Sequence, residues 1–412
     1  MSADTRMAGE DRRFLILFMF MSIVSGLTVG LGKIAATLYA ISLHASPFQI
    51  GLISAMESVG MVLVTVPAGF IIAHYGARGV YFLSSLGPML INLAMPFSAS
   101  WIALAAGRGA IGLCIPFRMV SMNSSFLERL PRLGSAKAGW YRASLTGGVA
   151  ILGPSLASYL SVHASMTTIF LIVSGCFGFM ALFSLSFLPA VDPRGSQQKA
   201  RFVDEVKLIA GDPIIAESCM VEFTNSATGA LFSTFIILLA AGLPGLTEQD
   251  GIRVMLAQGF AVVTSLFFGG ALAARFSNTA AYALSLVTAS VALVTFGFAT
   301  SFVALAAGAV LLSIGSAIVH LANMRVMAGM PGGKSKIAGL YNLASMTGSS
   351  FGAIAGGTIT KLVPLQWVFL IWLPFLLVAG LTVQWLQLRR RRALTPQSTV
   401  HASTSLPASS QG

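Results

Sequence analysis

The chain alternates between long apolar runs and short polar breaks. Breaks at 43–47, 74–79, 98–100, 123–138, 162–166, 190–211, 242–250, 275–279, 300–301, 324–337 and 361–366 leave twelve runs. Each run is close to the length of about 20 residues that a helix needs to cross a bilayer core. The pattern predicts an all-α polytopic membrane protein with twelve transmembrane helices in two pseudo-symmetric halves of six. The first run starts at Phe14 and extends to about Ser42. It is too long for the core of a signal peptide, so it reads as a retained span.

The longest and most charged break divides the spans six and six. The expected organisation is a terminus at 1–13, a first bundle at 14–189, a linker at 190–211, a second bundle at 212–388 and a tail at 389–412. The tail opens with four arginines at 389–392 and continues rich in Ser, Thr, Pro and Gln. That composition predicts disorder. The arginines read as a stop-transfer anchor in preference to a lipid site.

Shifting the chain by 200 residues superposes the halves. Thr28/Thr228, Gln49/Gln249, Gly51/Gly251, Asn123/Asn323, Tyr141/Tyr341 and Gly148/Gly348 coincide, each at the same place in its half. The halves are therefore parallel repeats.

Composition agrees. Apolar residues make up 56 % and charged residues 9 %, against about 25 % charged in soluble domains. A soluble enzyme, a disordered protein and an ordinary nucleic-acid-binding domain are excluded. The net charge of +12 is a topology signal. With the N-terminus inside, only Lys361 and Arg253 lie on the opposite side, Lys33, Arg108 and Arg118 lie within spans, and all other basic residues are inside. Both termini are then expected in the cytoplasm of a cell with this chain in its inner membrane. Cys114, Cys176 and Cys219 show no metal-site spacing. No P-loop or catalytic constellation is present, so no enzyme, ATP-driven pump or cofactor is expected.

Three patterns carry mechanism. The loop after span 2 reads Gly69-Phe-Ile-Ile-Ala-His-Tyr-Gly-Ala-Arg78, and its second-half copy retains Arg275. Span 4 contains Arg108-Gly-Ala-Ile-Gly112. Span 5 has Gly139, Gly148, Gly153-Pro154 and Ala157-Ser158; span 11 has Gly339, Gly348, Gly352, Gly356 and Gly357. In these patterns and in its parallel repeat, the chain resembles the major facilitator superfamily over about 14–388. The resemblance implies gating roles for Gly69, Gly76, Arg78, Arg275, Gly148, Gly153 and Pro154, and ties Arg108 to proton coupling. It implies a monomer. Two departures stand out. Both loop copies lack the family's carboxylate, for which Glu217 is a candidate substitute. In span 5 the gap from Gly148 to Gly153 holds one residue more than the family's exporter pattern.

Five charges lie deep in spans: Lys33, Glu57, Arg108, Arg118 and Glu222. None has a charged counterpart 200 residues away. Intramembrane charges are costly and mark function by default. The resemblance places spans 1, 4, 7 and 10 around the cavity. Lys33, Arg108, Arg118, Glu222, Asn225 and His320 are accordingly the expected substrate-cavity residues. Packing is the favoured role for His320, and snorkelling weighs equally with the cavity role for Arg118. Glu57, Arg108 and Glu222 are the expected proton-coupling group, since burial eases protonation of a carboxylate and a nearby arginine opposes it. The repeated Asn123 and Asn323 read as structural.

The expected function is proton-driven export of a small organic molecule. The cationic excess favours an anionic or zwitterionic metabolite, a siderophore among them, and drugs also fit. The expected partners are substrate, protons and the lipid bilayer. Import by proton symport, and a transporter-like sensor or assembly factor, remain open alternatives.

Overall fold

A computed structural model describes residues 3–133, 138–188, 212–273, 276–329 and 334–394. The expected linker at 190–211, Arg275 and the tail beyond 394 lie outside them. The described residues form twelve helical rods with connections at the breaks expected from sequence. In the first half these are α1 (Ala3–Ser42), α2 (Pro47–Tyr75), α3 (Ala77–Ala94), α4 (Trp101–Leu133), α5 and α6 (Met166–Phe187). The rod α5 has three parts: Ala138–Gly147, a π-helical turn Gly148–Leu152, and Gly153–His163. The second half has α7 (Pro213–Ala241), α8 (Glu248–Ala273), α9 (Asn278–Gly297), α10 (Phe302–Gly329), α11 (Lys334–Ile359) and α12 (Leu365–Leu394). Among the described residues, ten helices are long and apolar enough to cross a membrane.

One correction concerns the tail. Helix α12 continues through Arg389 and Arg390 to Leu394, so the disorder expected from 389 does not describe its first residues. Arg390 gains a partner there, described below.

Pairing follows the repeat. Helix α2 packs on α4, α1 on α5 and α3 on α6; correspondingly α8 packs on α10, α7 on α11 and α9 on α12. The halves meet where α2 lies along α11 and α5 along α8. The core is mainly aliphatic and aromatic, with Phe18, Phe126 and Tyr141 clustered in the first half and Phe232, Phe296 and Phe369 in the second.

Close helix approach requires small residues. On α1, Gly26 and Gly30 face α5. A Cβ on Gly148 would lie 2.9 Å from Gly26 Cα, and one on Gly153 would lie 2.8 Å from Gly30 Cα. Residues 26 and 30 are four apart, whereas 148 and 153 are five apart. The π turn resolves the mismatch, because it takes up one extra residue without turning the next segment to another face. The apparent departure of span 5 from the exporter spacing is therefore local. In the second half, Gly348 and Gly352 pack at the same spacing on Phe223 and Ala227 of α7 without a π turn.

The end carrying the chain termini is called the terminal end, the other the distal end. At the distal end the halves are bonded together. Gln249 of α8 donates to the Ser158 carbonyl at 2.9 Å and hydroxyl at 2.5 Å, and accepts from Ser161 at 2.8 Å. Lys361 lies 3.4 Å over the Phe48 ring. The repeat partner Gln49 does something else: it closes a capping box with Ser46 at the start of α2.

Candidate functional site

Lys33 of α1 and Ser233 of α7 meet between the halves, with Nζ 3.5 Å from Oγ. Lys33 is half-buried. Beside it, Arg108 of α4 reaches the Gly32 carbonyl at 3.5 Å and forms an ion pair with Glu57 of α2. Arg108 and Glu57 are 5 % and 7 % exposed. A buried pair with this geometry neutralises both partners; loss of either leaves an uncompensated charge. Thr234, next to Ser233, shares a hydrogen bond of 2.8 Å with Ser54 of α2.

A second cluster lies nearer the terminal end of the second half. The Glu222 carboxylate is 6 % exposed. It accepts from the Tyr341 hydroxyl of α11, from Asn323 Nδ2 of α10 at 3.5 Å and from Ser226 Oγ at 3.1 Å. Tyr282 of α9 donates to Asn323 Oδ1 at 2.6 Å and lies 3.4 Å from Ser218. The His320 ring is centred 6.5 Å from that of Tyr341. Glu222 thus joins α7, α10 and α11 through neutral donors. Sequence reasoning missed Tyr341 and read Asn323 as structural because each has a repeat partner. Their roles are not repeated: position 22 is a serine bonded to the Phe18 carbonyl, and Tyr141 packs on Phe18 and Phe126.

Other expected site residues lie elsewhere. Arg118 does not face the space between the halves, nor does it snorkel. It is 3 % exposed among α3 and α6 side chains, bonded to Tyr81 at 3.1 Å and seated 4.6 Å over Phe177. Asn225 lines a cavity of about 50 Å³ within the second half, with Thr224, Tyr282, Ser285 and Ser316. Glu217 pairs with Arg390 of α12 at 2.5 Å, so its ion pair is within one half. It does not replace the missing loop carboxylate as a bridge between halves. Among the described residues there are three ion pairs, and none joins the two halves. Gly76 does have a backbone reason: its φ of 82° at the α2–α3 corner disfavours any other residue. Gly69 is within α2 and Arg78 is in the first turn of α3. Gly148, Gly153 and Pro154 flank or belong to the π turn.

The family model described as Major Facilitator Superfamily matches residues 15–266 and 219–409. The chain belongs to the major facilitator superfamily. It is a multi-pass membrane protein and a secondary transporter of small molecules, not an enzyme. Two solved structures show the same fold. One is the nucleoside transporter NupG, with a TM-score of 0.76 at 13% identity, covering 90% of this chain and 98% of that one. The other is a bacterial homolog of the human lysosomal transporter Spinster in an inward-facing, unoccupied conformation, with a TM-score of 0.75 at 14% identity, covering 91% and 96%. No curated protein matches the sequence closely enough to count as a relative.

Proposed function

We propose that this superfamily member is a monomeric proton antiporter that exports a small organic molecule across a bacterial inner membrane, with both termini in the cytoplasm. The carrying observation is Glu222. It is a buried carboxylate whose described hydrogen-bond donors are all neutral and come from α7, α10 and α11. Glu57, by contrast, is tied to Arg108.

The ionised Glu222 carboxylate accepts three hydrogen bonds. Protonation at Oε2, the oxygen that Tyr341 and Asn323 share, turns it into a donor, which the Tyr341 hydroxyl can accept and the Asn323 amide nitrogen cannot. The contact from α7 to α10 then weakens. A proton can in this way alter helix packing close to the substrate path. Glu57 already has Arg108 as its counter-charge, which leaves Glu222 as the proton carrier.

The direction of transport rests on the α5 glycines, whose packing on α1 is restored by the π turn. Import by proton symport is the second reading, favoured by the extra residue in that pattern. Topology rests on the concentration of basic residues at the terminal end.

The test is deletion of the gene, complementation with wild type or Glu222→Gln, and mass spectrometry of small molecules in cells and medium. Export predicts a compound retained in deleted cells, missing from the medium, and restored to the medium by wild type alone. A compound left in the medium and depleted in cells means import. Full rescue by Glu222→Gln overturns the proton assignment.

A further inference from the structure

Positions 33 and 233 are equivalent in the 200-residue repeat, and their side chains touch. Contact between equivalent positions puts this pair on the pseudo-twofold axis, where the halves share one point. It is a place from which a bound group keeps contact with both halves while they rock against each other.

The charges there do not cancel. Arg108 and Glu57 are each other's counter-charge. The Lys33 ammonium has a serine hydroxyl at 3.5 Å, and no acidic residue forms an ion pair with it among the described residues. A cation in a membrane interior is stable only with a counter-charge, a polar cavity or water. The surroundings are hydroxyl-rich, with Ser233 on α7 and the Ser54–Thr234 pair between α2 and α7. Ammonium and hydroxyl donors together suit a carboxylate or another small acid. A cationic ligand would be repelled by the ammonium.

We infer that Lys33 and Ser233 form the anchor for the acidic group of the transported molecule, so that the substrate is an organic anion or zwitterion. This inference rests on the transport reading above and adds the substrate class and the docking point. The anchor is distinct from the proton site. Eleven residues separate positions 222 and 233, which is about 16 Å along α7. The two sites therefore communicate through movement of α7, not by direct contact. The Gln249 bonds to Ser158 and Ser161 hold the halves together at the distal end.

The experiment uses the full chain in the deletion strain, complemented with wild type, Lys33→Ala, Lys33→Arg or Glu222→Gln, with the same mass-spectrometric comparison. Monodispersity of each purified variant in detergent reports folding. The expected result is that every compound depending on the wild-type chain carries an acidic group. Its redistribution falls about 30-fold or more with Lys33→Ala, as for loss of one partner of a buried charge pair. Lys33→Arg recovers a substantial part. A wild-type-dependent compound without an acidic group overturns the anchor, as does unchanged transport by folded Lys33→Ala. If Lys33→Ala transports normally while Glu222→Gln does not, the anchor fails and the transport reading stands. If no compound depends on the wild-type chain, both fall together.

Discussion

Lys33 of α1 and Ser233 of α7 occupy equivalent places in the two halves and meet at 3.5 Å. A symmetric scaffold thus carries an asymmetric pair at its centre, a cation facing a hydroxyl. The neighbouring Glu57–Arg108 pair is asymmetric too, since its repeat equivalents are Ala257 and Gly308.

The Glu57–Arg108 pair should behave as a unit in stability. Glu57→Gln strands a buried guanidinium and is expected to cost about 3–5 kcal/mol. The double variant Glu57→Met/Arg108→Met removes both charges and should recover most of that loss. Thermal unfolding in detergent measures both. A double variant as unstable as the single would show that the pair has no such coupling.

Glu222 should set the pH dependence of transport. Tyr341→Phe removes one donor to the carboxylate, which favours its protonated form, so the pH profile moves upward. Glu222→Gln should flatten it. The groups near Glu222 that also titrate are Tyr341, Tyr282, His320, Cys219 and Glu217. Of these, His320 is the control: if His320→Gln alone flattens the profile and Glu222→Gln leaves it intact, the histidine carries the proton. Uptake or efflux of the identified substrate across imposed pH gradients gives the profiles.

Gln49 and Gln249 should differ in consequence despite their equivalence. Gln49→Ala loses half of a capping box and is expected to cost about 1 kcal/mol without favouring either open state. Gln249→Ala loses three bonds between the halves and should shift the population toward distal opening. Spin labels at Val162 and Glu248, measured by pulsed dipolar spectroscopy, read the opening. Equal distance distributions in the two variants would contradict this assignment.

The π turn should confine changes in residue number. Deleting Val149 leaves the regular spacing of α11, and α5 is expected to stay folded as one α-helix. Inserting an alanine after Leu156 instead rotates Ser158 and Ser161 by about 100°. Gln249 then loses its partners, and the distal labels should separate as in Gln249→Ala.

Much of this molecule is legible in its pattern of polarity. Twelve runs became twelve rods because length and apolarity dictate what can span a bilayer. The orientation of each rod was harder to read. Arg118 was expected with Arg108 in the cavity. Ten residues at about 100° each put the two about 80° apart around α4, and Arg118 duly meets Tyr81 and Phe177 instead. Helical spacing held that signal. Nothing comparable pointed to Tyr341. The repeat identity with Tyr141 suggested shared structure, whereas the residues around it differ: Glu222 against Ser22, Tyr282 against Phe82 and Ser226 against Gly26. The partner of Glu217 came from the far end of the second half, 173 residues away, which no local pattern reveals.

The single wide turn in α5 also bears on ancestry. Up to Gly148 the two halves align at a spacing of 200; from Gly153, matched with Gly352, they align at 199. A one-codon change in either copy would produce that step. In a plain helix it would have rotated the rest of α5 away from α1. It is tolerated where three glycines leave room for the turn: Gly30 on α1 faces the Val149 carbonyl, Gly259 on α8 faces the Ala150 carbonyl, and Gly26 on α1 faces Gly148 Cα and Val149 N. Those three glycines and the extra residue are consequently expected to be inherited together. A lineage that lost the extra residue would be free to replace Gly259, and one that kept it would not.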